Sequence, residues 1–529
     1  FLNPRLADMA DPVLFKGMEG AVAVILKAIQ DRKKITIYGD YDADGLTATA
    51  LLLHFFSFIG IPVSSYIPDR LKEGYGLNRE AIQKIAKRGC SVIITVDCGV
   101  GNSGEIALAK EMGMDVVVTD HHQIPEDFQA DCPVINPHQG NCRFPFKHLA
   151  GVGVAFFLAV ALRTALRKSG WFASGPEPDL KAYLDLVALG TVADRAPLLD
   201  QNRMLVKTGV AVMTRSGWPG IRALKEVSGI SAREIGADDL AFRLGPRLNA
   251  PGRMGDSETG LRLLTLQEPG LAKEYALNVD DANSRRQSEE RNILNQIKAM
   301  LVAGEGIGNV RSLVLAGEDW HRGVLGIVAS RLVDRYHRPA LVLGIQNGMA
   351  VGSGRSIDGF NLYQALSRLG HIFEKFGGHA HAAGFTLKAS NVEILERELE
   401  DMARDVLGDD DLVPYLKVDA EIGLQDITPH MIGQIDALSP FGAGNPEPLF
   451  LARSLEVLGS RVVGDRHLKL RVRQGKMDFE AIGFGLAARH SLQGKTVNMV
   501  FTPELNRWQG YERIQLRIAD LEIPKYSNS

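Results

Sequence analysis

Three short apolar runs, each ending in acids or histidines, constrain this chain more than any other feature. Ile35–Tyr38 leads into Gly39-Asp40-Tyr41-Asp42-Ala43-Asp44-Gly45, Val92–Val96 into Asp97, and Val116–Thr119 into Asp120-His121-His122. Amphipathic stretches at Thr47–Ile59 and Gly104–Met112 separate them. β-Branched runs alternating with helix-length segments predict βαβ units, and hence a parallel sheet with helices on both faces. In an open parallel sheet the carboxyl ends of adjacent strands meet in one crevice, so the clusters should converge although they are far apart in sequence. An apolar helix at Val152–Leu166 follows, then a helical run at Leu180–Leu189 that leads into Gly190-Thr191-Val192-Ala193-Asp194. Asp194 is a further candidate for the crevice.

So many carboxylates in one crevice would repel one another unless cations neutralised them. Carboxylates with one or two imidazoles and no thiolate suit Mn2+ or Mg2+ better than a structural zinc. Two such ions a few ångströms apart would serve hydrolysis of a phosphoester. A single strand-end Asp is most often a turn former or helix cap, and a lone His a surface or satisfied core residue. The conjunction of three clusters at successive strand ends reverses that reading, because no fold needs so many acids in one place.

At 529 residues the chain is long enough for two to four domains. A polar, helix-favouring stretch from Pro269 to Gly304 predicts a solvent-exposed helix bridging two domains. A second α/β-like block, Ser312 to about Leu407, opens with Leu313–Leu315, contains Ala340–Leu343 and carries expected Gly-rich turns at 352–354 and 377–384. From Val413 onward, alternating strands and regular turn residues favour a small β-barrel or sandwich. The expected organisation is a catalytic α/β domain over 1–268, a connecting helix over 269–306, a substrate-binding α/β domain over 307–412 and an OB-like domain over 413–529.

Lysine and arginine number 60 against 63 aspartates and glutamates, a net charge of −3, so a polyanion would have to be held by a local basic surface. Cys90, Cys98, Cys132 and Cys142 form no CxxC pair, which fits a reducing compartment. The first residues carry no basic segment leading into an apolar core, and no run reaches the ~18 apolar residues of a membrane span. A cytoplasmic protein is expected.

Asp120-His121-His122, preceded by Asp42-Ala43-Asp44-Gly45 and Val96-Asp97-Cys98-Gly99, resembles the DHH phosphoesterase superfamily. Gly377-Gly378-His379-Ala380-His381-Ala382-Ala383-Gly384 resembles the GGHxxAAG signature of the DHHA1-type domain that accompanies it. Within that superfamily, Tyr38–Thr47, Pro68–Leu77, Ala188–Asp194, Pro246–Ala250 and Trp320–Val324 are similar to the RecJ exonucleases, and the β-rich end resembles their OB-fold domain. The resemblance implies 5′→3′ hydrolysis of single-stranded DNA to 5′-mononucleotides in recombination and repair. It also implies two Mn2+ or Mg2+ ions, a monomer, and partners such as single-strand-binding protein and a RecQ-type helicase. Asp40, Asp42, Asp44, Asp97, His121 and Asp194 then correspond to metal ligands, with Asp97 bridging both ions and His122 facing the scissile phosphate. Tyr38 stands where smaller DHH enzymes have a ligating His, so Asp40 would take that role. Arg195 and Pro251 depart from the RecJ pattern. Two alternatives stay open: a DHH phosphodiesterase acting on short RNA or cyclic dinucleotides, and a non-catalytic single-strand-binding relative.

An end-recognising nuclease needs Arg forks, hydroxyls and backbone N–H groups for a terminal phosphate, and Ser353-Gly354-Arg355-Ser356 has all three. Arg70 is expected to reach the same cleft, with Tyr75 offering a ring for base stacking. His379 among its glycines suggests close approach to a ligand, and Arg247, Asn249 and Arg253 are further candidates for phosphate contact. Alone, Arg355, Arg70 and Tyr75 are more often solvated surface residues, the His379 segment a tight turn between packed elements, and Arg247, Asn249 and Arg253 as easily helix or loop surface. In the β-rich region, His467, Lys469, Arg471 and Arg473 alternate with apolar residues, and Arg513–Ile518 repeats the pattern after Trp508 and Tyr511. Basic strand faces beside aromatics are what a sequence-tolerant single-strand groove requires, although a charged face is often only a protected edge.

Overall fold

The computed structural model describes residues 1–230, 235–303, 307–489, 491–508 and 511–524; the side chains of Ala303, Arg507, Trp508 and Tyr511 are outside that description. It divides into two compact units, residues 6–196 with 200–414, and residues 415–529 with 1–5 and 197–199.

The larger unit contains two sheets. In the first, β1 (Ile35–Gly39), β2 (Val63–Tyr66), β3 (Val92–Val96), β4 (Asp115–Thr119) and β5 (Val134–Ile135) lie in the order β2-β1-β3-β4-β5, all parallel. Every residue of β1 and β3 is buried, as a sheet covered on both faces requires. Tyr38, Ile93, Val116 and Val118 pack under helices Arg79–Lys87 and Ser103–Glu111. Helices Ala43–Phe58 and Gly151–Lys168 also pack against this sheet. The expected doubly covered α/β layer is therefore present. Sequence reading missed β2, a half-exposed Val-Ser-Ser-Tyr edge strand, and the two-residue β5.

The second sheet, β6 (Leu313–Glu318), β7 (Ala340–Gln346), β8 (Met349–Arg355), β9 (Phe373–His379) and β10 (Ala382–Lys388), has the order β6-β7-β8-β10-β9 with only β6–β7 parallel. The Gly-rich turns expected at 352–354 and 377–384 are instead strands, joined at Ala380-His381. Glycine is needed there for clearance. A Cβ on Gly352 would lie 2.2 Å from the Phe385 ring, and one on Gly354 2.7 Å from Leu362.

The helix Pro269–Ala303 is not the fully solvated rod that its polarity predicts. Ala272, Ala276, Val279, Ala282, Asn283, Arg286, Glu290, Ile293 and Ile297 are buried, all but the adjacent Ala282 and Asn283 at three- and four-residue intervals, which forms one inward stripe. That stripe packs on helices Pro219–Val227, Gly245–Arg253 and Leu325–Tyr336.

In the smaller unit, β11 (Ala420–Glu421) precedes β12 (Phe450–Val463), β13 (His467–Gln474), β14 (Met477–Gly483), β15 (Thr496–Trp508) and β16 (Tyr511–Glu522). β12 pairs with both β13 and β15, so the five long strands close into a barrel. Leu455, Leu468, Leu470, Val472, Val497, Met499, Phe501 and Leu516 fill it. Sequence reading missed the helix Pro429–Ala437 beside it.

Candidate active site

Asp40, Asp97 and Asp120 each follow the last residue of a parallel strand, so the chain delivers all three to one edge of the first sheet. The turn after β1 is shaped by Asp42, which caps helix Ala43–Phe58 by accepting from the Asp44 and Gly45 amides at 3.0 and 3.1 Å. Asp44 turns inward at the amino end of a second helix, accepting from the Gly151 amide at 2.6 Å and the Val152 amide at 2.9 Å. Helix N-termini favour such a carboxylate. Asp194 closes the carboxyl end of helix Leu184–Ala193.

These side chains converge. His121 Nε2 lies 3.1 Å from Asp97 Oδ1, 3.8 Å from Asp44 Oδ2 and 3.9 Å from Asp194 Oδ2. Asp44, His121 and Asp194 form one group whose ligand atoms lie within 4.8 Å of one another; Asp40, Asp42 and Asp97 form another. Two glycines make the room. A Cβ on Gly151 would meet Asp97 Oδ1 at 2.6 Å, and one on Gly190 would meet Asp44 Oδ1 at 2.9 Å. Neither glycine is marked by residue chemistry, and sequence reading passed over both.

The electrostatics are those of a site suited to cations. Burial, then the charge of Asp42, raises the Asp40 carboxyl well above its usual range, and the same two causes raise Asp44 to about 7. Burial, then Asp44, raises Asp97 well above its range and Asp194 to about 9. Burial, then the neighbouring His122, depresses His121 to about 4, leaving a neutral imidazole. Asp40 Oδ1, Asp97 Oδ1 and His121 Nε2 are buried without a hydrogen-bond partner. The last two approach to 3.1 Å without forming a hydrogen bond. The Leu149 carbonyl accepts from the other His121 nitrogen, which leaves Nε2 free to coordinate. Oxygen and imidazole donors, orphaned and mutually repelling, fit hard divalent ions.

Asp120 is fully buried and spent on the frame. It accepts from the amides of Val100, His121 and His122 and from His122 Nδ1 at 2.7 Å. His122 is thereby oriented with Nδ1 occupied, and the Asn136 amide holds its carbonyl at 2.9 Å. Tyr38 is buried, stacks on Tyr66 and donates to the Gly76 carbonyl, so it is part of the frame too.

Around this centre the remaining candidates separate. Arg70 lies over the Tyr41 ring at 4.8 Å. Burial and the charge of Arg70 push both the Arg253 and Arg355 guanidiniums below their usual range, and Arg355 also acts on Arg253. Among the described residues no carboxylate forms an ion pair with any of the three. Ser353 Oγ accepts from Arg355 at 3.3 Å, and Arg253 donates to the Gly323 carbonyl. Ser353 and Arg355 share one sheet face with Gly384, Gly377 and His379, because they are aligned across β8, β10 and β9. Gly377 and Gly384 have open space above them. Arg247 is instead paired with Asp280 at 2.8 Å, and the Asn249 side chain caps the Ala43 amide at 2.7 Å. Tyr75 is half-exposed, with its hydroxyl against His122.

On the barrel, Lys469, Arg471 and Arg473 share a face, but each meets an acid: Glu480 at 2.9 Å, Asp478 at 2.6 Å and Glu456 at 3.9 Å. The alternation that nominated them says nothing about the facing strands that supply these acids. The Trp508 side chain lies outside the described residues.

Comparison with known proteins adds the following. Residues 34–191 match the DHH family, N-terminal domain, residues 309–405 the DHHA1 domain and residues 418–520 the RecJ OB domain. The single-stranded-DNA-specific exonuclease RecJ of Bacillus subtilis is 39% identical over 99% of this chain and 66% of its own length. That of Dickeya dadantii is 38% identical over 98% of this chain and 93% of its own. The crystal structure of RecJ from Thermus thermophilus in complex with Mn2+ superposes with a TM-score of 0.85 at 31% identity, covering 99% of this chain and 74% of that one; the same protein is also known with Mg2+. No helix among the described residues is long and apolar enough to cross a membrane. Three domain matches in order and full-span similarity, on a fold that gathers the acids at one sheet edge, place the chain in the DHH family, among the RecJ single-stranded-DNA-specific exonucleases.

Proposed function

We propose that this chain hydrolyses single-stranded DNA from the 5′ end to 5′-mononucleotides, using two divalent ions held by Asp44, His121 and Asp194 and by Asp40 and Asp42, with Asp97 shared. When bound, such ions supply a water nucleophile at neutral pH and the positive charge that clamps a phosphodiester. The residues do the rest. Asp120 orients His122 so that its free Nε2 faces the scissile phosphate. The Arg70, Arg253 and Arg355 guanidiniums receive the terminal phosphate, and Ser353 adds a hydroxyl. The glycine-floored face of β9 and β10, with His379 at its edge, leaves room for a sugar. Lys469, Arg471 and Arg473 would follow a longer strand by exchanging their carboxylates for phosphates, and Trp508 would stack a base. Arg247 and Asn249 act by holding the fold. The wider setting rests on family likeness alone: a cytoplasmic monomer receiving strands from a RecQ-type helicase and from single-strand-binding protein.

One observation carries the polarity: three guanidiniums without an ion-paired acid, close to the carboxylate centre, form a receptor for a doubly charged terminal phosphate. Asp42 and Asp40 are near enough to act on Arg253 and Arg70 respectively, so the receptor borders the metal centre. Arg355→Ala should lower kcat/KM on 5′-phosphorylated oligonucleotides roughly 10- to 100-fold, the worth of one charge-assisted bond, and much less on 5′-hydroxyl ones. Equal loss on both would move Arg355 to the scissile phosphate and remove the basis for 5′ polarity.

A further inference from the structure

Tyr75 does more than the stacking that its ring suggests. Its hydroxyl lies 3.0 Å from His122 Nδ1 and 3.3 Å from the Asp97 carbonyl. The Nδ1 hydrogen is already committed to Asp120 at 2.7 Å, so the phenol spends its own hydrogen on the Asp97 carbonyl. Asp97 is a non-glycine residue in the left-handed region, φ 62°, a conformation that persists only where the surroundings hold it. Two hydrogen bonds hold its backbone within the buried site: the Asp97 amide donates to the Thr119 carbonyl at 3.0 Å, and the Tyr75 hydroxyl donates to the Asp97 carbonyl at 3.3 Å.

The same loop carries Arg70, five residues earlier. Between them Glu73 pins the segment, accepting from the Tyr66 hydroxyl at 2.6 Å and the Asp69 amide at 2.7 Å. Beyond Tyr75, the Gly76 carbonyl is held by Tyr38 and the Leu77 amide by Asn102. Gly74 and Gly76, at φ 78° and 82°, flank Tyr75 on both sides. A short strap fixed at Glu73 and at Gly76–Leu77 thus presents a phosphate-binding guanidinium at one point and a tether on the catalytic centre at another.

We infer that Tyr75 is a positioning residue that couples occupation of the terminal-phosphate pocket by Arg70 to the alignment of Asp97 and His122, so that the 5′ phosphate raises turnover as well as affinity. This rests on the pocket assigned above.

The test uses the full chain and Tyr75→Phe, which keeps the ring and removes only the hydroxyl. kcat is measured in Mn2+ on 5′-phosphorylated and 5′-hydroxyl oligothymidine, and Kd for both in chelator. For the native protein, kcat should be higher on the phosphorylated strand. In Tyr75→Phe, kcat on that strand should fall roughly two- to tenfold, the worth of one hydrogen bond, to meet the hydroxyl value, while the phosphorylated-to-hydroxyl Kd ratio stays native. A native kcat ratio in the variant, a native protein without a kcat ratio, or a lost Kd ratio in Tyr75→Phe would each overturn the coupling; the last would make Tyr75 part of the pocket itself. If Arg355→Ala also shows no selectivity, the pocket fails; if Arg355→Ala is selective and only the Tyr75 result is negative, the coupling alone fails.

Discussion

Asp97→Ala should lower turnover by about a thousandfold or more in saturating Mn2+, because it removes a carboxylate that groups with Asp40 and Asp42 and whose Oδ1 lies 3.1 Å from His121 Nε2 of the other group of donors. Retention of a tenth of native activity would remove Asp97 from the shared position. The fold should survive, since the change relieves repulsion among buried acids. The pH dependence follows from the raised carboxyls. A group whose folded pKa exceeds its unfolded value contributes stability that is complete below the unfolded value, near 3.8, and lost as pH rises through the folded one. For the ion-free protein those folded values are about 7 for Asp44 and about 9 for Asp194, both pushed up by burial and then by neighbouring acids. Melting temperature in chelator should therefore fall from about pH 4 up to about pH 9, most steeply below about pH 7 where both groups contribute. The fall should be smaller in Asp97→Ala, which takes away a third charge; identical curves would refute the repulsion argument.

His122→Ala should cost turnover on the order of 10²- to 10⁴-fold, the usual range for a group that stabilises or protonates a reacting phosphate. Burial opposes its charge, but the hydrogen bond from Nδ1 to Asp120 and the Asp120 charge outweigh it and hold the imidazole at about 9. In the proposed role it would therefore meet a phosphate as a cation at neutral pH, through Nε2. Mn2+ affinity, read by calorimetry, should stay within a factor of a few of native. His122 also lies in a group with Asp97 and His121, so a parallel loss of Mn2+ binding and activity would make it a ligand instead.

The first sheet and its converging acids were legible because they rest on periodicity and on a rule of topology. Continuous β-branched runs mark buried parallel strands, and parallel strands deliver their carboxyl ends to one edge. What was not legible depends on partners distant in sequence. Glycines 352, 354, 377, 378 and 384 read as turns because local chemistry offers no hint of the strands they sit in, or of the Phe385 ring and Leu362 side chain that Gly352 and Gly354 make room for. The helix from Pro269 hides its buried stripe among alanines and a buried Arg286–Glu290 pair. Lys469, Arg471 and Arg473 read as free cations because strand alternation fixes the face but not the acids across the ladder. Asn249 was placed near phosphate, whereas its side chain holds the Ala43 amide 206 residues away in sequence. Tyr75 was read from its ring, although its hydroxyl makes the informative contacts.

Anomalous scattering at the manganese edge from crystals of this protein soaked in Mn2+ tests the central claim directly. The account predicts two peaks at the carboxyl edge of the first sheet, one among Asp44, His121 and Asp194 and one among Asp40 and Asp42, both within bonding distance of Asp97. A single peak, or two that do not share Asp97, would contradict it.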